Sequence, residues 1–292
     1  MFRPRIRIPR IGLVRPPLQR SIHHIPQLRY DFREGVPGLL SPEGFDMAWT
    51  QYMTLTLEKL NALTAGTDHE RKDTKAILIA TAREPAEAPI FNYASMAHNN
   101  ARFFDGLSPT PVEIPAHLKR GLEASFSSIE TLRREFVLTA SAMFGPGFVW
   151  LVKVGNSHAS GLSDNFRIVT TYLAGSPYPG AHWRQQATDM NTVGGASAEG
   201  HGAVAEYFRK QGNALQRAPP SNSRDTTKLA PGGIDVIPLL CLNTWEHVWL
   251  RDYGMGAGGY GGKRAFAEAW WETIDWNRVT ELANISKPAF RV

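Results

Sequence analysis

Few side chains in this sequence are equipped for chemistry, and they fall in three places. Cys241 is the only cysteine, which excludes a disulfide framework and any cysteine-rich zinc or iron–sulfur centre. Set in an apolar run, it reads as an inert buried thiol. His98 stands within Phe91–Phe104, and His247 follows Glu246 in the run Pro238–Trp249. Imidazoles and carboxylates together suit a transition metal, but a lone imidazole does not hold manganese or iron against water. His98 and Asn100, two residues on, lie about 200° apart around a helix and face nearly opposite ways. The third place is the N-terminus, where residues 1–30 contain seven arginines, no lysine and no acid.

That asymmetry decides how the net charge of +5 is read. The first thirty residues contribute +7, so the remaining body is near neutral and is no basic nucleic-acid-binding domain. An Arg-rich, acid-free start with interleaved apolar residues has the composition of a mitochondrial presequence. Leu18-Gln19-Arg20-Ser21 offers a processing point, an Arg just ahead of a small residue. Four prolines, at 4, 9, 16 and 17, oppose a long helix there, and the rival reading is a retained basic arm lying along phosphates. The 292 residues, 42 % of them hydrophobic, suffice for one large or two ordinary domains. No apolar run approaches the roughly 18 residues of a membrane span, so no membrane partner is expected.

The elements that must position these residues follow from periodicity. Ser41-Pro42-Glu43 is an N-cap, a first-turn proline and an early acid, and Phe45, Trp49, Tyr52, Met53, Leu57 and Leu60 keep helical spacing to Leu63. Phe91 to Leu107 is a second helix, and the two predict an antiparallel hairpin. A proline-rich linker, 108–115, precedes helices over about 116–125 and 128–143, the latter with a capping box of Ser127 and Glu130. Strands are expected at 148–152, 167–173 and 234–242, and helices at 245–252 and 263–282. The fold class is α+β, with a small antiparallel three-stranded sheet flanked by helices. The organisation reads as an arm over 1–35, a helical hairpin over 36–110 and an α/β region over 111–292. A Gly/Ser/Asn-rich insertion at about 176–235 contains one possible short helix at 203–211.

Four stretches in this order resemble the iron/manganese superoxide dismutases. They are Ser41–Thr67 with its Leu60-Asn61-Ala62-Leu63 ending, the Phe91–Phe104 helix, the glycine turn Phe144-Gly145-Pro146-Gly147, and Asn243-Thr244-Trp245-Glu246-His247. The resemblance implies that family's fold over about 200 residues. It also implies a site for three imidazoles and one carboxylate around manganese or iron. Carried over, those four positions are Ala48, Asn100, Asn243 and His247, so only one ligand remains. The positions of the family's gateway tyrosine and its accompanying histidine are Thr56 and Tyr52, and that of a solvent-binding glutamine is Met96. The expectation is no enzyme and no cofactor.

Within this resemblance the chain is most similar to the dismutase-fold proteins of the fungal mitochondrial ribosomal small subunit, two members of which pair with each other. What that implies is a structural subunit of the matrix ribosome. Its partners would be a homologous subunit, other small-subunit proteins and rRNA. The dimer surface is expected around Tyr52, Glu246, His247 and Leu250, and RNA or protein contacts at Arg184, Arg209, Lys210 and Arg217. An atypical dismutase and a free-standing pseudoenzyme remain the alternatives.

Overall fold

The computed structural model describes residues 22–82, 84–154, 165–178, 181 and 236–284. Helix α1 is a continuous run of Pro42–Phe45, a π-helical turn Asp46–Gln51, and Tyr52–Thr64. It starts where the cap signal places it, with Ser41 Oγ accepting the Gly44 N–H at 3.0 Å. The π turn was not foreseen, because a one-residue widening barely disturbs helical spacing; such turns gather at functional sites. Helix α2, Thr74–Thr81, was also missed. Asp73 caps it, but its Ala-Ile-Leu-Ile-Ala core is a short unbroken apolar run without period. Helix α3, Ala88–Asp105, returns antiparallel to α1. Phe45 and Trp49 at the start of α1 meet Phe104 near the end of α3, with ring centroids 5.5 and 5.0 Å apart.

Helices α4, Ala116–Phe126, and α5, Ile129–Ala142, follow the linker. The cap of α5 is Ser128, whose Oγ accepts from Thr131 N–H, not Ser127. Ser127 instead sits at φ +70° between the two helices. Strands β1, Gly147–Val154, β2, Asn165–Tyr172, and β3, Val236–Asn243, form an antiparallel sheet in the order β2-β1-β3. Trp150 in the central strand pairs with Val169 on one side and Cys241 on the other. Its indole N–H reaches Thr171 Oγ1 at 2.9 Å, which satisfies the one polar atom of a buried aromatic.

Helix α6 is Glu246–Tyr253, and the expected single helix 263–282 is two: α7, Gly262–Glu272, and α8, Trp276–Ala283. Asp275 breaks the run by capping α8, accepting from the N–H groups of Asn277 and Arg278 at 3.1 Å each. The break is fixed from outside as well. Ser108 N–H bonds Thr273 O at 2.8 Å, and Asp275 N–H bonds Gly106 O at 2.9 Å, locking the end of α3 to the α7–α8 joint. The core is aromatic-rich, with Phe103, Phe104, Phe136, Phe148, Trp150, Phe266 and Trp270 fully enclosed. Trp249 and Trp271 are also buried, as expected of core aromatics, whereas Trp245 is half-buried. Among the described residues no helix is long and apolar enough to cross a membrane.

Candidate functional site

The fold brings the four singled-out positions together from four elements. Ala48 lies in the π turn of α1, Asn100 in α3, Asn243 at the end of β3 and His247 in the first turn of α6. Ala48, Asn100 and Asn243 are completely shielded from solvent. Buried amides need partners, and these find them in one another. Asn100 Nδ2 donates to Ala48 O at 3.0 Å, Asn243 Nδ2 donates to Asn100 Oδ1 at 3.0 Å, and Trp245 N–H donates to Asn243 Oδ1 at 3.0 Å. A relay of three hydrogen bonds thus runs from α1 through α3 and β3 to the entrance of α6. It supplies cohesion between elements without any charged group.

Replacing Asn100 with Leu strips partners from both Ala48 O and Asn243 Nδ2 in a dry interior. We expect about 2–5 kcal/mol of lost stability, read from urea unfolding; a change under about 0.5 kcal/mol would show that the relay is incidental.

His247 is the exception in this cluster. Among the described residues its buried Nε2 has no hydrogen-bond partner. The ring is held by stacking, with the Tyr52 ring 4.0 Å away and 17° from parallel. Burial pushes the imidazole pKa down to about 4 and the Tyr52 phenol up to about 12. His98 lies on another face of α3, as its spacing from Asn100 requires, with Nε2 2.9 Å from the Tyr178 hydroxyl. Burial, then the nearby Arg102 and Lys75 charges, take its pKa down to about 3.

Both imidazoles are therefore neutral in the fold and are protonated in the unfolded chain below about pH 6.5. Stability is complete above that value and is lost as pH falls toward 4, because the unfolded state gains protons that the native state refuses. A loss of a few kcal/mol between pH 7 and pH 4 is expected in urea titrations, with the slope reduced in His247→Gln. An unchanged slope would remove His247 from this account.

Cys241 is buried, with Sγ 3.7 Å from Asn99 O, and burial raises its thiol pKa well above normal, the mark of an unreactive thiol. Thr56 and Met96 are both buried. No group of three or more His, Cys, Asp or Glu residues able to hold a metal ion occurs among the described residues. Arg184, Arg209, Lys210 and Arg217 lie outside the described residues, as does the short helix expected at 203–211.

Around the start of α6 the sequence signal was incomplete. Burial lowers the Lys263 pKa and the half-buried Glu246 carboxylate only partly opposes that, while Leu250 is exposed. Beside them stand apolar side chains that periodicity could not flag, since they sit in turns. Phe144 is 95 % and Tyr260 88 % exposed, and Leu173 and Met255 are exposed too. Hydrogen bonds tie the flanking segments together: Leu173 N–H donates to Pro146 O, Trp245 Nε1 to Leu173 O, and Lys263 Nζ to Met143 O. The only hint was the run Gly254–Gly262, where Met255 and Tyr260 interrupt glycines.

Comparison with known proteins fits this geometry. Residues 181–282 match the iron/manganese superoxide dismutases, C-terminal domain. The chain is 27 % identical over 272 residues to small ribosomal subunit protein mS43 of Schizosaccharomyces pombe, covering 89 % of this chain and 84 % of that protein. It is 26 % identical over 209 residues to small ribosomal subunit protein mS42 of the same organism, covering 70 % of each. An iron superoxide dismutase of Helicobacter pylori is 30 % identical over 118 residues, 40 % of this chain and 53 % of the enzyme. The chain is therefore similar over residues 181–282 to the C-terminal domain of the iron/manganese superoxide dismutases, within a sequence similar over most of its length to two small-subunit ribosomal proteins.

Proposed function

We propose that this protein is a structural component of the mitochondrial ribosome's small subunit, built on a dismutase fold that no longer performs dismutation. The observation that carries the reading is the extent of the similarity to mS43, which takes in 89 % of the chain, whereas the similarity to the Helicobacter enzyme takes in 40 %. The buried amide relay supports the finer statement that the metal has been lost. Where the resemblance places three ligands stand a methyl group and two neutral amides, and their hydrogen bonds are already committed to one another. Neutral amides supply no charge to a divalent or trivalent ion.

The exposed apolar face beside Glu246 supports pairing with a homologous dismutase-type subunit. Phe144 and Tyr260 are nearly fully exposed, and aromatic anchors of this kind make effective contact points. The pair then joins other small-subunit proteins in the mitochondrial matrix, with rRNA contacts supplied by the basic positions of the insertion. Sucrose-gradient fractionation of mitochondria, with the protein followed by mass spectrometry, tests the reading. Co-sedimentation with the small ribosomal subunit is expected; a free pool only, at the top of the gradient, refutes it.

A further inference from the structure

The sheet has two edges, and the one formed by β2 is open in its middle. β2 pairs with β1 on one side only. In an antiparallel ladder the backbone groups of successive residues point alternately toward the paired strand and away from it. Two bonds fix which residues of β2 point away. Phe166 N–H donates to Ser125 Oγ of α4 at 3.1 Å, and Tyr172 O accepts from Gly175 N–H at 2.8 Å, both outside the sheet. By the same alternation Ile168 and Thr170 turn their N–H and C=O groups outward. No hydrogen bond reaches those four groups among the described residues. The edge is closed at each end, by a serine and by a turn, and leaves two donors and two acceptors between.

A groove of about 500 Å³ lies beside the end of this edge. Its lining includes Thr170 and Tyr172 of β2, Phe91 and Asn92 at the start of α3, and the turn residues Leu173 and Ser176. Ser176 is 2 % exposed, and its buried Oγ has no partner among the described residues, a state in which buried hydroxyls are seldom left. None of the described side chains lining the groove is charged. Phosphate chains are held by cations, so this lining does not suit RNA. A row of unpaired backbone groups beside a helix suits extended polypeptide, whose own N–H and C=O groups recur at the same spacing. The open stretch is short, and a strand of about four residues covers it at about 3.3 Å per residue.

We propose that the outward edge of β2 takes up an extended, uncharged segment of the homologous subunit as a fourth strand. Its backbone pairs with Ile168 and Thr170, and it lies in the groove over Ser176. This rests on the pairing with a homologous subunit proposed above. Continuity selects the source. Leu173 belongs both to the groove lining and to the exposed apolar face beside Glu246, and Tyr172 next to it is 53 % exposed. A subunit seated on that face has the open edge within reach of an adjoining segment. Main-chain bonds then hold the joint, and the strand's register fixes how the two subunits are oriented.

Amide hydrogen exchange on the full chain, alone and mixed with the co-expressed homologous subunit, tests the proposal. The Ile168 and Thr170 amides should exchange fast in the single chain and at least about tenfold more slowly in the pair. Thr170→Pro removes one outward donor and is tolerated at a sheet edge. It should weaken pairing about tenfold, whereas Thr170→Ala, which keeps the N–H, should change it less than about twofold. Should the proline disturb the sheet, Asn92→Trp fills the groove from α3 and should weaken pairing similarly. Pairing that leaves both amides unprotected overturns the inference and leaves the pairing reading standing; failure to pair at all overturns both. Protection already present in the single chain would mean that the chain's own insertion covers the edge, and protection conferred only by RNA would make it a nucleic-acid surface. Either result overturns the proposal.

Discussion

A chain carrying Ala48→His, Asn100→His and Asn243→Asp together is expected to take up close to one manganese or iron ion, while the unaltered protein retains none after dialysis against a chelator. The fold already brings Ala48, Asn100 and Asn243 together near the start of the helix that carries His247, whose buried Nε2 has no partner among the described residues. The triple change adds the missing imidazoles and the carboxylate, a ligand set suited to these metals. Without metal the variant should be several kcal/mol less stable than the parent, because it buries a carboxylate and forces a ring into the fully enclosed site of Ala48. Metal should then raise its melting temperature strongly, since an ion that binds only the folded state stabilises it by mass action. Elemental analysis and melting with and without metal give the readout. Dismutase turnover should stay low, because Thr56 and Met96 stand where the resemblance to the dismutases places the residues around the metal-bound solvent. An unaltered protein that purifies with stoichiometric manganese or iron would overturn the non-enzymatic reading.

The second large effect concerns pairing. Phe144→Asp combined with Tyr260→Asp should weaken association with the proposed homologous subunit at least about 100-fold, as loss of two aromatic anchors does. Both side chains are almost wholly exposed in the single chain, so helical content and melting temperature should barely change. Glu246→Ala should cost about 2–5 kcal/mol of pairing if its carboxylate is buried by the partner. Co-purification with the co-expressed homologous subunit measures both. Full pairing by the double aspartate variant would refute the proposed interface.

Much of this was legible in the sequence because local chemistry and tertiary demand agree. The Ser41-Pro42-Glu43 start, the apolar spacing of α1 and α3, and the three strands are each written in short-range signals, and the structure places elements there within a few residues. What was illegible has physical reasons. Asp275 looks like one polar residue in a helical run, and becomes a break because its side chain caps α8 and because Gly106 and Ser108 bond Asp275 and Thr273 from another part of the chain. Helix α2 has a cap but no period. The identities of Ala48, Asn100 and Asn243 were readable against the family pattern. Their mutual hydrogen bonding was not, because it joins residues 52 and 143 positions apart. Exposed aromatics in turns leave no periodic trace at all.

The amide relay also gives this molecule a direction in history. Restoring one ligand at a time meets an obstacle at each step. Asn243→Asp would replace the donor facing Asn100 Oδ1 with a carboxylate oxygen, setting acceptor against acceptor in a dry interior. Asn100→His would remove the amide that answers both Ala48 and Asn243, and Ala48→His would overfill a site with no free surface. The three positions are coupled by contact, so their effects do not add. On the proposed reading that the metal has been lost, a lineage that has accepted the relay could return to metal chemistry only by several changes at once, and the loss would act as a ratchet.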